Sequence, residues 1–177
     1  MATPPDLGSV SHYITSYDPK GKSTFLAAPN PPLVQQSDTY LRVDYIYSTI
    51  PSATGPVLTD QDDYMKHQDE RAAHPYVLFP LAGGSAASVT TFAPNPDNKE
   101  GFMHRSQTLD YVFIINGELE LTLDSGEKRV MKQGDVCVQR ASQHSWKNLS
   151  KTEIARMGAV CLGVEGANLN EWIFPEE

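Results

Sequence analysis

From Tyr76 onward, the pattern of hydrophobic and polar positions reads as strand after strand. Glu118-Leu119-Glu120-Leu121-Thr122-Leu123 puts three leucines on one side and three polar residues on the other, as a strand with one buried face does. Asp124-Ser125-Gly126 supplies a turn and Glu127 to Met131 runs back, so this stretch predicts a hairpin. Asn116-Gly117 and Gln133-Gly134-Asp135 mark two more tight turns. Tyr40 to Ser48 alternates too and is rich in aromatic and β-branched residues, which predicts an earlier strand. Short strands broken by such turns predict an all-β sandwich or barrel. Ahead of them, Pro4, Pro5, Pro19, Pro29, Pro31 and Pro32 read as an extended N-terminal arm. The rhythm changes only between Thr59 and Ala73. There Thr59 followed by Asp62 resembles a capping box, and acidic residues precede Lys66 and Arg71, which predicts one short helical insert over 57–75. The expected organisation is a single domain over 1–177: arm and strands to 56, insert 57–75, barrel core 76–165, tail 166–177.

Composition narrows the function classes. Fourteen Lys and Arg face 22 Asp and Glu in 177 residues, a net charge of −8, which speaks against a nucleic-acid partner because phosphate contacts need clustered cations. No apolar run is long enough to span a bilayer, and Met1-Ala2-Thr3-Pro4-Pro5-Asp6 lacks the basic and apolar regions of a signal peptide. A soluble, cytoplasmic protein without a membrane partner is expected. Cys137 and Cys161 stand in strand-like stretches and read as buried free thiols. Asp60, Asp62, Asp63, Asp69 and Glu70 read as a solvated face, since an EF-hand glycine turn is missing. Gly83-Gly84-Ser85 reads as an inter-strand loop, not a phosphate cradle.

Of five histidines, two stand in informative company. His104, Ser106 and Asp110 share strand parity with Val112 and Ile114, so a strand through them shows all five to one side. His144, Trp146 and Asn148 share a face in the same way. Polar groups at one end of an apolar inward row are what a barrel mouth with ligating or proton-transferring groups looks like. Tyr111 and Arg105 have the opposite parity and are expected to face away.

These two stretches resemble the paired motifs of the cupins, proteins built as a double-stranded β-helix of the jelly-roll kind. The first cupin motif runs His-x-His, a short gap, Glu, six residues and Gly; here His104-Arg105-Ser106, Asp110 and Gly117 keep the spacing with two changed residue types. The second runs from Gly-Asp to a His and a later Asn; Gly134-Asp135, His144 and Asn148 fit that frame, with Arg140-Ala141-Ser142 replacing the Pro-x-Gly turn and one residue fewer. Met103-His104-Arg105, Leu109-Asp110-Tyr111 and His144-Ser145-Trp146 further resemble a subgroup of small cupins from fungi and bacteria, in which the second motif-one His is commonly absent. Many of those sit in secondary-metabolite pathways.

The resemblance implies a site and several chemistries. The positions matching the cupin metal ligands are His104, Ser106, Asp110 and His144; two imidazoles and one carboxylate would make a facial triad. The cofactor expectation is therefore none, or one divalent ion of Fe, Mn, Zn or Ni held by His104, Asp110 and His144. Without metal, the same three residues offer an acid/base site. Ser106, Trp146, Arg42 and Tyr47 are candidate substrate-binding residues, and His67 or His74 would approach only if the insert formed a lid. Three functions stay open. The first is a lyase, decarboxylase or dehydratase, acting on an organic-acid or polyketide-type intermediate of secondary metabolism. The second is an iron-dependent oxygenase, and the third a non-catalytic small-molecule binder. Trp172, Ile173 and Phe174 in the tail and the outward row Tyr111, Phe113 and Ile115 favour a homodimer.

Overall fold

The computed structural model describes residues 7–25, 33–36, 41–49, 79–80 and 82–165. Among them every assigned element is a strand, and no helix occurs. This corrects the expectation of a fold with a helical ingredient: the described architecture is all-β, and the 57–75 segment lies outside the described residues. A capping signature marks only where a helix can start. Among the described residues the core is carried by side chains alternating along strands, as in β6 and β7, and that period belongs to sheets.

β1 (Thr15–Tyr17) and β2 (Ser23–Phe25) form a small hairpin. The remaining strands are β3 (Leu33–Gln36), β4 (Leu41–Thr49), β5 (Ser85–Phe92), β6 (Thr108–Asn116), β7 (Glu118–Leu123), β8 (Lys128–Lys132), β9 (Val136–Arg140), β10 (His144–Asn148) and β11 (Ala155–Gly163). Six of them form one antiparallel sheet in the order β3-β4-β5-β11-β6-β9, and β10-β7-β8 form a second. The sheet thus draws in β4 from the N-terminal region beside the later strands.

Both sheets feed one core. Phe92, Val112, Ile114 and Ala155 come from the larger sheet, and Leu119, Leu121, Met131 and Trp146 from the smaller. Each large side chain here contributes roughly 1.5–3 kcal/mol by leaving water. Along β6 the alternation holds through Thr108, Asp110, Val112 and Ile114, all buried, against exposed Tyr111, Phe113 and Ile115. At the β6–β7 turn Gly117 has φ +78°, and a Cβ there would lie 2.8 Å from the Ala155 Cβ, so the turn needs glycine on two counts.

Candidate active site

His104 and His144 meet through their main chains before their side chains. His104 N–H donates to the His144 carbonyl at 2.9 Å and His144 N–H returns a bond to the His104 carbonyl at 2.8 Å, an isolated antiparallel bridge. That bridge sets the imidazole centroids 4.5 Å apart. The loop leading to His104 is tied down independently. Asn95 Nδ2 donates to the Asn148 and Lys99 carbonyls, and Lys99 N–H donates to Asn95 Oδ1. Gly101 presses on β10 so closely that a Cβ would collide with the Trp146 carbonyl. Phe102 then stacks on the His104 ring, centroids 5.7 Å apart, and its carbonyl accepts from His104 Nδ1 at 3.1 Å.

These groups open on a cavity of about 140 Å³, a volume that holds roughly one ring. His104, Ser106, Asp110, Gln139, His144 and Trp146 line it beside an apolar wall that includes Val43, Phe79, Phe92 and Met157. Ser106 Oγ and Thr108 Oγ1 share a hydrogen bond at 2.7 Å. Asp110 is 6% exposed and, among the described residues, its Oδ1 has no hydrogen-bond partner. Burial raises its pKa above the ordinary carboxylate range, and Thr108, Cys161 and Ser106 only partly offset this. His104 is pushed down to about 4 by burial and then by His144, so its ring is neutral at pH 7. His144 is lowered too, burial being the larger cause.

Trp146, on β10, donates its indole N–H to Gln139 Oε1 at 3.1 Å. Gln139 Nε2 in turn lies 2.9 Å from His144 Nε2. Sequence reasoning passed over Gln139. The alternation of β9 puts Val136 and Val138 outside and Cys137 and Gln139 inside, so the apolar residues that usually mark an inner face mislead. The pairing of Gln139 with Asp110 across β9 and β6 is what brings it to the site.

Arg42 and Tyr47 do not line the cavity. Arg42 grips Asp44 through two bonds of 2.7 and 2.9 Å, while its strand neighbours Leu41 and Val43 face the cavity. Beyond Tyr45 a bulge shifts the register, which reverses the parity that would have turned Tyr47 inward. Asn148 is buried but spends its amide on the Ala93 and Glu153 carbonyls, a structural duty. His67 and His74 lie outside the described residues.

Of the positions matching the cupin ligands, Ser106 is engaged with Thr108, and the Gln139 amide nitrogen lies against the His144 ring, 2.9 Å from Nε2 and 3.1 Å from Nδ1. Among the described residues no group of three His, Cys, Asp or Glu side chains is arranged to hold a metal ion.

Two antiparallel sheets closing on a small, partly polar cavity define a barrel of the jelly-roll kind. The comparisons agree with that class. The chain is 36% identical over 160 residues to phomopsin biosynthesis cluster protein D of Diaporthe leptostromiformis, covering 89% of this chain and 80% of that one. It is 34% identical to oryzines biosynthesis cluster protein J of Aspergillus oryzae over 93% and 89% of the two chains. It is 33% identical to the cupin-domain-containing oxidoreductase virC of Hypocrea virens over 97% and 85%. The chain belongs to the cupin superfamily, among relatives of fungal biosynthesis-cluster proteins and cupin-domain-containing oxidoreductases. The cupin domain of Schizosaccharomyces pombe Cnp3 shares the fold, with a TM-score of 0.50 at 15% identity over 87% of this chain and 89% of that one. No family model matches the chain.

Proposed function

We propose that this chain is a lyase of dehydratase or decarboxylase type, acting on an organic-acid or polyketide-type intermediate in secondary metabolism. One observation carries the reading: a neutral imidazole and a buried carboxyl group, one oxygen of which has no partner among the described residues, line the same small cavity. His104 donates Nδ1–H to the Phe102 carbonyl, so Nε2 is the ring nitrogen that would accept a proton from the substrate. Asp110, whose pKa burial raises, is the group that returns a proton to a leaving hydroxyl or a carbanion. His144 abuts His104, and Trp146 and the apolar wall would bind the carbon skeleton.

Deletion of the pathway gene and complementation with His104→Gln or Asp110→Asn test this reading. The expected result is accumulation of one intermediate with either variant. Turnover of that intermediate by the pure protein under argon should release either CO2, with deuterium from D2O at the carbon that carried it, or water, with loss of the substrate C–H that His104 removes. Product formation unchanged by both substitutions would overturn the reading.

A second reading, an oxidoreductase, is favoured by the names of relatives such as virC. It expects turnover to stop under argon or to require an added redox partner.

We further propose a homodimer through the outer face of β6, β9 and β11. Across these strands Val160, Tyr111 and Val138 lie side by side, with Phe113 and Val136 in the next row, and all five are exposed.

A further inference from the structure

We infer that Phe102 is a specificity-determining residue whose ring closes the inner cavity toward an outer groove, and that it gives way to a ligand with its ring in the barrel and a polar substituent running out along loop 94–102. Two hollows meet at this side chain. The inner one, about 140 Å³, is the cavity of His104, Asp110 and Trp146. The outer one, about 640 Å³, lies over Pro94, Pro96, Asp97 and Lys99. Among the described residues that line either, Phe102 lines both. A volume of the inner size is filled by about one ring. A longer molecule therefore has to leave the barrel, and the Phe102 side is where a second hollow receives it.

The main chain here does not make room. Gly101 lies so close to β10 that a Cβ would collide with the Trp146 carbonyl. His104 N–H is bonded to the His144 carbonyl at 2.9 Å, and the Phe102 carbonyl accepts from His104 Nδ1. Upstream, Asn95 N–H donates to the Ser150 carbonyl at 2.8 Å, and Glu100 holds Lys147 at 2.9 Å. The ring is placed differently. It is 50% exposed and stacks on the His104 imidazole at an interplanar angle of 15°. Rotation about its side-chain bonds swings it toward water without breaking those main-chain bonds, and a ligand ring can take its place on the imidazole. The two hollows also differ in chemistry. Val43, Phe92 and Met157 give the inner one an apolar wall, whereas Asp97 and Lys99, exposed and paired at 3.3 Å, give the outer one charges of both signs. A neutral polar group such as an amide or hydroxyl suits that rim better than a second apolar ring.

Phenol and N-acetyltyramine share a phenol ring and differ by a neutral amide tail, so they test this role without turnover. Phe102 has the role only if the cavity is the substrate site proposed above, whatever reaction runs there. Failure of these probes leaves the lyase reading to be judged by its products, and failure of that chemistry does not move these affinities. In the full-length wild type, the NOE between the Phe102 and His104 rings should persist with bound phenol and disappear with bound N-acetyltyramine. Phe102→Ala should raise the affinity for N-acetyltyramine relative to phenol by about fivefold or more, and Phe102→Trp should lower that ratio by a similar factor. Both variants keep the main-chain carbonyl that His104 Nδ1 uses. An NOE kept with both probes, a ratio unchanged in both variants, or failure of either probe to bind the wild type would each overturn the proposal. The wild-type measurements keep it exposed even if neither variant folds.

Discussion

At the scale of single residues, His104 couples the site to stability. Its pKa falls from 6.5 to about 4 on folding, so below pH 6.5 the unfolded chain takes up the proton more readily. This contribution is intact above pH 6.5 and is lost as pH falls toward 4, by up to roughly 3 kcal/mol. Asp110 has the opposite sign. Its folded pKa is raised, so it favours the fold at low pH and that contribution is lost as pH rises through the folded value. Urea unfolding at pH 7 and pH 4.5 should therefore show a smaller loss on acidification for His104→Gln than for the wild type, and Asp110→Asn should be more stable than the wild type at pH 7. A wild-type slope kept by His104→Gln would refute the assignment. Gly117→Ala should cost about 2 kcal/mol or more by the same measurement, because it combines a positive φ with a clash against Ala155.

Elements explain what could be read in advance. The alternation in β6 and β7 is written in residue type, so the inner face holding Ser106, Asp110 and Val112 was legible from spacing alone. The failures have one physical origin, namely partners far away in sequence. Tyr47 turned on a bulge, Arg42 on Asp44, and Gln139 on its pairing with β6. Glu120 likewise reads as a solvated strand residue, yet its side chain is only 15% exposed and pairs with Lys147 at 3.2 Å and Lys128 at 3.0 Å. Lys147 also holds Glu100 of the loop before His104, at 2.9 Å. Lys147 is buried, its side chain 6% exposed, and Glu120 keeps Lys128 as a second partner. Lys147→Met should accordingly lower global stability by about 1–3 kcal/mol, the cost of leaving a buried partner short of a hydrogen bond. Hydrogen exchange of amides 97–103 should speed up more than that of β6. Unaltered exchange in the loop would mean that Asn95 and Gly101 hold it without the ion pairs.

For the molecule as a whole, the exposed apolar rows matter more than the net charge. Val136 and Val138 are 55% and 52% exposed on a strand at the sheet edge, an arrangement that invites association unless it is covered. Light scattering behind size exclusion should give a dimer mass for the wild type and a monomer for Phe113→Lys with Val138→Lys, with the cavity-side histidines unaffected. A wild-type monomer at micromolar concentration would dismiss the dimer. The tail residues Trp172, Ile173 and Phe174, expected to share that contact, lie outside the described residues.

The paired main-chain bonds between His104 and His144 have a consequence for how such a site changes over time. The bond joining the two motifs is made by peptide groups, so it survives whatever side chains those positions carry. A lineage can therefore exchange imidazole for hydroxyl, thiol or carboxylate at the mouth of the barrel without first loosening the scaffold. In that sense the fold separates inheritance of shape from inheritance of reactivity, and a designer seeking a new activity would begin by varying these two positions.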